Sequence, residues 1–144
     1  MCFLNGGPVS WKSKLQEIIA QSSTEAEMIA ACKGSNEAAF LRFVLADLGF
    51  PQKSTRCYED NTGVTCLARN PGALRDRSKH FELRWLKVQE YASEGTIDLI
   101  QVGTKWQIAD ALTKWLPRPR FEFLRGYLLG TSTFDHSKYP TRSH

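Results

Sequence analysis

The stretch from Ser23 to Leu48 holds the longest helical pattern in the chain and contains no proline. Ser22 with Glu25, or Thr24 with Glu27, matches a capping box at its start, and Gly49 and Pro51 follow its end. The residues that recur at helical spacing are Ala26, Ala30, Gly34, Ala38, Leu41, Leu45 and Leu48. The pattern predicts one long helix, whose inner face is narrow at first and can lie close against a sheet.

Short β-prone runs alternate with helical patterns around this helix, which predicts an α/β fold. Asn5-Gly6-Gly7 signals a hairpin and therefore an antiparallel edge, whereas strand–helix alternation implies parallel pairing. A mixed sheet with flanking helices follows. Predicted strands cover 1–4, 8–13 with a continuation over 15–20, 54–58 and 96–102. Predicted further helices run between Gly63 and Asn70, over 79–93, over 106–115, and onward from Pro119.

Length and composition predict one globular domain over residues 1–130, because 144 residues with 42% apolar content can form a core. Residues 131–144 are polar and aperiodic, and we expect a disordered tail there. The four cysteines lack the spacing of a zinc site or a disulfide framework. No apolar run is long enough for a membrane span and no secretory leader is visible, so we expect no membrane partner and an intracellular location, in cytoplasm or nucleus.

Basic residues form two groups that suit phosphate binding, although charge alone favours a solvated loop and helix face. The first group comprises Arg69, Arg75, Arg77, Lys79, Arg84 and Lys87, with His80 among them; the second comprises Arg118, Arg120 and Arg125. Residues 72–78 are interpreted as a basic loop.

Three acids occupy the ends of predicted elements: Glu25, Asp60 and Asp110. In open α/β sheets the site lies off the carboxyl ends of the strands, where Asp60 is expected. Carboxylates are the ligands of hard divalent cations, so convergence of these acids would form a metal site for phosphodiester hydrolysis. Each acid also has a structural alternative, as a helix cap, a turn acid or a complement to a helix dipole. Helix and strand periodicity lead us to expect Glu27 and Glu59 to point elsewhere.

Several blocks, in this order and spacing, resemble the ribonuclease H domain of copia-type LTR-retrotransposon Pol polyproteins. They are Trp11-Lys12-Ser13-Lys14-Leu15-Gln16, Ser22-Ser23-Thr24-Glu25-Ala26-Glu27-Met28, Asp60-Asn61, Arg77-Ser78-Lys79-His80-Phe81-Glu82-Leu83 and Ala109-Asp110-Ala111-Leu112-Thr113-Lys114. The resemblance covers roughly residues 3–130 and implies a five-stranded mixed sheet in the order 3-2-1-4-5.

The resemblance also implies a function: cleavage of the RNA strand of an RNA–DNA hybrid with two Mg²⁺ ions. It carries the catalytic and metal-binding roles over to Glu25, Asp60 and Asp110. The candidate nucleic-acid contacts are Ser23, Asn61, Arg77, Lys79 and His80, with shaping of the loop as an equal alternative for Lys79 and His80. The implied partners are the hybrid and an upstream reverse transcriptase domain of the polyprotein.

The sequence departs from the family at its start, where the first, central strand and its catalytic aspartate have no counterpart. We therefore expect a partial gene product that has no hydrolase activity of its own and folds poorly, since unpaired buried backbone groups cost about 1–3 kcal/mol each. Two other interpretations stay open. One is a non-catalytic nucleic-acid-binding remnant that uses residues 69–87, and the other is a pseudogene fragment without function.

Overall fold

The computed structural model describes residues 1–16, 20, 22–70 and 79–133, with only the backbone described for residues 79–84. The chain divides into two compact units, Met1–Glu17 with Val102–His144, and Ile18–Gln101. The elements are β1 (Cys2–Leu4), β2 (Gly7–Ser10), α1 (Ser23–Asp47), β3 (Thr55–Glu59), α2 (Thr62–Arg69), α3 (Lys79–Ser93), β4 (Ile97–Gln101), a 3₁₀ turn (Thr104–Trp106), α4 (Asp110–Thr113) and α5 (Arg118–Leu128). The predicted α/β class is confirmed, but the described residues form two separate two-stranded sheets, β1 with β2 and β3 with β4, where the sequence predicted a single mixed sheet.

Both predicted strand pairings are present. β1 pairs antiparallel with β2 across Asn5 and Gly6, whose positive φ angles of 50° and 83° suit a tight hairpin turn. β3 pairs parallel with β4, in a register that places Thr55 opposite Ile97 and Glu59 opposite Gln101. The continuation of a strand over 15–20 is wrong for residues 15, 16 and 20, which lie in no strand, while 17–19 fall outside the described residues.

Helix α1 begins and ends where the sequence predicts. The Ser22 hydroxyl accepts a hydrogen bond from the Glu25 N–H, which satisfies one of the open donors of the first turn. At the other end Gly49 has a φ of 88°, and the N–H of Phe50 donates to the Leu45 carbonyl. These contacts form a Schellman motif, which stops the helix before Pro51.

The predicted inner face of α1 is largely wrong. Of the predicted residues only Ala38 is fully buried, and Ala30 is exposed. The helix instead buries Met28, Ile29, Cys32, Ser35 and Ala38. Met28 and Ile29 are the large apolar residues of its first half, and their burial removes more apolar surface from water than the small-residue stripe could.

The helix predicted over 106–115 is also wrong, because the chain forms a 3₁₀ turn and the short helix α4 instead. The residue before the turn is Gly103, which has no side chain to cap it, and Thr104 is the first residue of the turn instead of its cap. Trp106 packs edge-on against Phe123, and Ile108 is buried with Leu124. One continuous helix would direct residues two apart to nearly opposite sides, so the break allows both Trp106 and Ile108 to pack against residues of α5.

Each unit has its own apolar core. In the unit Ile18–Gln101, Trp85 and Met28 are the largest fully buried side chains, and they share a cluster with Val64, Val88 and Ile97. In the other unit, a smaller cluster of Ile108, Leu124 and Tyr127 packs with Met1, Phe3 and Leu116.

Across the described parts of the chain, no helix is both long enough and apolar enough to cross a membrane. The predicted basic loop 72–78 and residues 134–144 of the predicted tail lie outside the described residues.

Replacing Trp85 with alanine should destabilise the protein by about 3–5 kcal/mol, because the substitution leaves a cavity in the main core. Trp85→Phe should lose clearly less, since the indole N–H has no hydrogen-bond partner among the described residues. Trp115→Ala is the matched control, because that side chain is fully exposed, and it should stay within about 0.5 kcal/mol of the parent. Urea unfolding measures all three, and equal losses for the two alanine variants would contradict this core.

Candidate metal site

Three carboxylates converge where β3 ends. Glu27, Glu59 and Asp60 each offer an oxygen, and these oxygens lie within 4.8 Å of one another. Glu59 is buried, while Glu27 and Asp60 are partly exposed. One buried carboxylate and two more accessible ones can together hold a divalent cation and still leave one side of the cation open to a ligand.

Two elements bring these acids together. Glu27 lies in the second turn of α1, whereas Glu59 ends β3 and Asp60 follows it directly. Helix α2 starts just beyond, with its first turn against the start of α1. A Cβ atom at Gly63 would lie only 3.1 Å from the Thr24 Cγ2 atom, so glycine permits this close approach.

Hydrogen bonds fix the backbone around Asp60. The N–H of Asn61 donates to the Glu59 Oε1 atom at 3.0 Å, and Asn61 Oδ1 caps α2 by accepting from the N–H groups of Gly63 and Val64. From β4, Gln101 Nε2 donates to the Asp60 carbonyl at 2.9 Å. The Thr65 hydroxyl holds Gln101 by donating to its Oε1 atom at 2.6 Å. Hydrogen bonds with α2 and β4 therefore hold the backbone from Glu59 to Asn61 in place.

Electrostatics in the cluster favour a bound cation. Burial, followed by the nearby carboxylates of Glu27 and Asp60, raises the pKa of Glu59 from 4.5 to about 7, while the Asn61 N–H works in the opposite direction. The two neighbouring carboxylates disfavour ionisation of Glu59, and a bound divalent cation would reverse that preference. The donors are all oxygen atoms, which fits Mg²⁺ or Ca²⁺ better than a softer metal.

The sequence-based expectation that Glu27 and Glu59 point elsewhere is wrong with respect to Asp60, since the carboxylate oxygens of all three lie within 4.8 Å of one another. Strand alternation separates neighbouring side chains only inside a strand, and Asp60 lies just past the end of β3, where the chain turns. Helical spacing alone does not distinguish Glu27 from Glu25 as a partner for Asp60. The choice depends on where α1 crosses the end of β3, which is a tertiary feature without a local sequence signal.

The predicted ligand Glu25 lies in the first turn of α1, two residues before Glu27, and its backbone N–H is used by the Ser22 cap. A separation of about 200° around the helix axis directs these two side chains to different sides. Glu25 is not a member of the cluster that the described residues form. Its role as a ligand stays a prediction.

Asp110, the third predicted ligand, belongs to the unit that contains Val102–His144. It is the first residue of α4 and is buried. Its two oxygens pair with Lys114 Nζ at 2.8 Å and with an Arg120 guanidinium nitrogen at 3.4 Å. Arg120 also donates to the Thr104 carbonyl. Asp110 therefore has a structural role in its own unit, and its metal role stays a prediction.

The predicted nucleic-acid contacts are described unevenly. Ser23 is exposed at the start of α1, and Asn61 is the cap of α2. Lys79 and His80 begin α3, but their side chains, like the whole of Arg77, lie outside the described residues.

Two other members of the first basic group are described, and both have partners. Arg69 donates to the Leu99 carbonyl, and Lys87 pairs with Glu90 at 2.7 Å. Their contacts within the unit show that part of the basic group has a structural role.

Comparison with known proteins gives the family context. The chain is 36% identical over 121 residues to the retrovirus-related Pol polyprotein from transposon TNT 1-94 of Nicotiana tabacum. It is 35% identical to the Pol polyproteins from transposons RE1 and RE2 of Arabidopsis thaliana, over 123 and 121 residues. The chain is a relative of transposon Pol polyproteins. The relationship predicted from the sequence blocks is thus confirmed at the level of Pol.

The matched region is 83–84% of this chain but only 8–9% of each Pol relative. The chain therefore corresponds to a small part of those proteins, and their names do not specify which domain it is. No protein-family model matches the chain, and no solved structure matches it either. The RNase H assignment accordingly stays a prediction.

The stability of the protein should depend on pH through Glu59. Because its folded pKa lies near 7 and its ordinary value is 4.5, the folded state binds more protons between these values. Unfolding free energy should then fall as pH rises through this window, by at most about 3 kcal/mol. Unfolding in urea with EDTA, at about pH 5 and about pH 8, measures the effect. Glu59→Gln should remove this component, and parallel pH profiles for parent and variant would contradict the burial of Glu59.

Arg120→Ala should destabilise the protein by about 1–3 kcal/mol, because it leaves the buried Asp110 carboxylate with a single cationic partner. Arg118→Ala is the matched control, since its ion pair with Glu122 is exposed. We expect that variant to change unfolding free energy by less than about 1 kcal/mol. Thermal unfolding of both variants tests this, and an equal effect would argue against a structural role for the Asp110 pairs.

Proposed function

We propose that this chain is the RNase H-like segment of a transposon Pol polyprotein and that Glu27, Glu59 and Asp60 form its divalent-cation site. The activity proposed for the Pol protein that contains it is hydrolysis of the RNA strand of an RNA–DNA hybrid. The observation that supports this most is the convergence of three carboxylates within 4.8 Å at the end of a parallel strand. The relationship to Pol polyproteins supports the nucleic-acid context.

The chemistry of the donor set agrees with this function. A bound Mg²⁺ ion would neutralise charge on the phosphodiester and lower the pKa of a coordinated water. Glu59 would be the innermost ligand of the ion, because its carboxylate is buried and accepts a hydrogen bond from the Asn61 N–H. Glu27 and Asp60 would orient it from the more accessible side. Glu59 must release its proton on metal binding, so affinity should rise with pH.

Substrate binding would draw on the basic residues around α3. The predicted contacts Arg77, Lys79 and His80 precede or begin that helix, and Asn61 lies beside Asp60. Basic side chains near a carboxylate site can hold the phosphates of a hybrid while the acids hold metal. The hybrid, the two Mg²⁺ ions and the upstream reverse transcriptase domain remain proposals that follow from the family resemblance.

A non-catalytic nucleic-acid-binding function is the second candidate, and one observation favours it. Asp110, which the resemblance assigns to the metal, is buried between Lys114 and Arg120 in its own unit. A carboxylate that is already paired with two cationic side chains gains less electrostatic stabilisation from a metal ion. In this alternative the protein binds nucleic acid through basic residues, and its affinity does not depend on Mg²⁺.

Titration of the 144-residue protein with Mg²⁺ or Mn²⁺ in a calorimeter tests the cation site. We expect binding that Glu27→Gln and Asp60→Asn each weaken at least about tenfold, because each variant removes a charged ligand. A metal concentration of 100 times the Kd should also raise the unfolding free energy by about 2.7 kcal/mol. Glu25→Gln is the matched variant from the same helix and should bind normally.

Loss of metal binding in Glu25→Gln, with normal binding in Glu27→Gln, would restore the sequence-based choice of ligand and contradict the cluster. A labelled RNA–DNA hybrid then separates the two functions. RNA cleavage that needs Mg²⁺ and disappears in Asp60→Asn supports the hydrolase. Hybrid affinity that is unchanged by EDTA and by Asp60→Asn, together with no metal binding, supports the non-catalytic alternative.

A further inference from the structure

Two tryptophans in the unit Met1–Glu17 with Val102–His144 have no packing role that explains them. Trp115 is completely exposed, and Trp11 is 64% exposed. Trp115 lies between α4 and α5, where its neighbour Leu116 packs against the core cluster while the indole faces solvent. The exposed indole of Trp115 therefore offers an aromatic face on which a ligand could stack.

The segments that carry the two tryptophans lie side by side. The Ser13 hydroxyl donates a 2.7 Å hydrogen bond to the Leu112 carbonyl at the start of the turn out of α4. Ser13 is two residues from Trp11, and Leu112 is three residues from Trp115. Trp11 and Trp115 therefore lie on two segments that meet at one hydrogen bond, and we call segments 11–15 and 113–120 together the tryptophan surface.

The tryptophan surface is strongly basic. Its two segments contain five cationic residues and no acidic one: Lys12, Lys14, Lys114, Arg118 and Arg120. Lys114 and Arg120 pair with the buried Asp110. Lys12, Lys14 and Arg118 have exposed side chains. Arg118 pairs with Glu122 at 2.9 Å, but an ion pair this exposed is weak enough for a phosphate to displace it.

We propose that the tryptophan surface binds single-stranded nucleic acid, with bases stacked on Trp11 and Trp115 and phosphates held by Lys12, Lys14 and Arg118. Exposed aromatic rings among basic side chains match the two faces of an unpaired nucleotide, its base and its phosphate. A duplex hides its base faces, and protein interfaces are depleted in lysine, so neither partner fits as well. The inference goes beyond the proposed function and does not rest on the cation site.

Fluorescence anisotropy with labelled oligouridine and oligothymidine of about 15 nucleotides tests the proposal on the whole 144-residue chain. Measurements in EDTA keep the cation site out of the result. We expect Trp115→Ala and Trp11→Ala each to weaken binding roughly 5- to 150-fold, the equivalent of the 1–3 kcal/mol of a stacked base. Trp115→Phe should retain most of the affinity, because phenylalanine can also stack. Comparison of the two oligomers shows whether RNA or DNA is preferred.

Phe43→Ala is the matched control, since Phe43 is 63% exposed on α1, in the other unit. It should bind like the parent. Lys12→Ala should weaken both oligomers alike and reduce the slope of log affinity against log salt by about 0.7. Circular dichroism confirms that the variants are folded. The proposal is overturned by any of three results: no oligomer binding, equal losses for Phe43→Ala and Trp115→Ala, or binding of anionic vesicles in place of oligonucleotides.

Discussion

Repulsion among three carboxylates is the interaction on which the account of this protein depends. Helix α1 and the end of β3 hold Glu27, Glu59 and Asp60 within 4.8 Å of one another, and Glu59 is buried there. The fold maintains this arrangement with the Asn61 turn, the cap of α2 and the Gln101 amide from β4. A proton or a cation would offset part of the negative charge, so we expect the site to respond to both pH and divalent metal.

Many ends of helices and strands were predictable, because local residues determine where these elements begin and end. The Asn5-Gly6 turn, the Ser22 cap and the glycine at 49 each act within a few residues, and all appear where the sequence places them. The prediction of one helix over 106–115 was wrong for a tertiary reason, since Trp106 and Ile108 both pack against residues of α5 only if the helix breaks. The predicted inner face of α1 was wrong for a similar reason, because burial of Met28 and Ile29 removes more apolar surface from water than burial of the small-residue stripe would.

The candidate site was predictable only in part. Asp60 follows from its place at the carboxyl end of a parallel strand, a position that topology favours for a site. Helix and strand periodicity could not identify Glu27 and Glu59 as members of the carboxylate cluster, because the cluster joins α1 to the point where the chain turns at the end of β3. Basic and aromatic residues were visible as sequence blocks, but the Ser13–Leu112 hydrogen bond that brings two of those blocks together is a long-range feature.

The position of a bound ion tests the central claim most directly. Crystals of the 144-residue protein grown with Mn²⁺ would reveal the ion by its anomalous scattering. We expect an ion coordinated by oxygens of Glu27, Glu59 and Asp60, at about 2.0–2.6 Å as for other hard cations. An ion bound through Glu25, or the three carboxylates pointing apart with no ion between them, would contradict it.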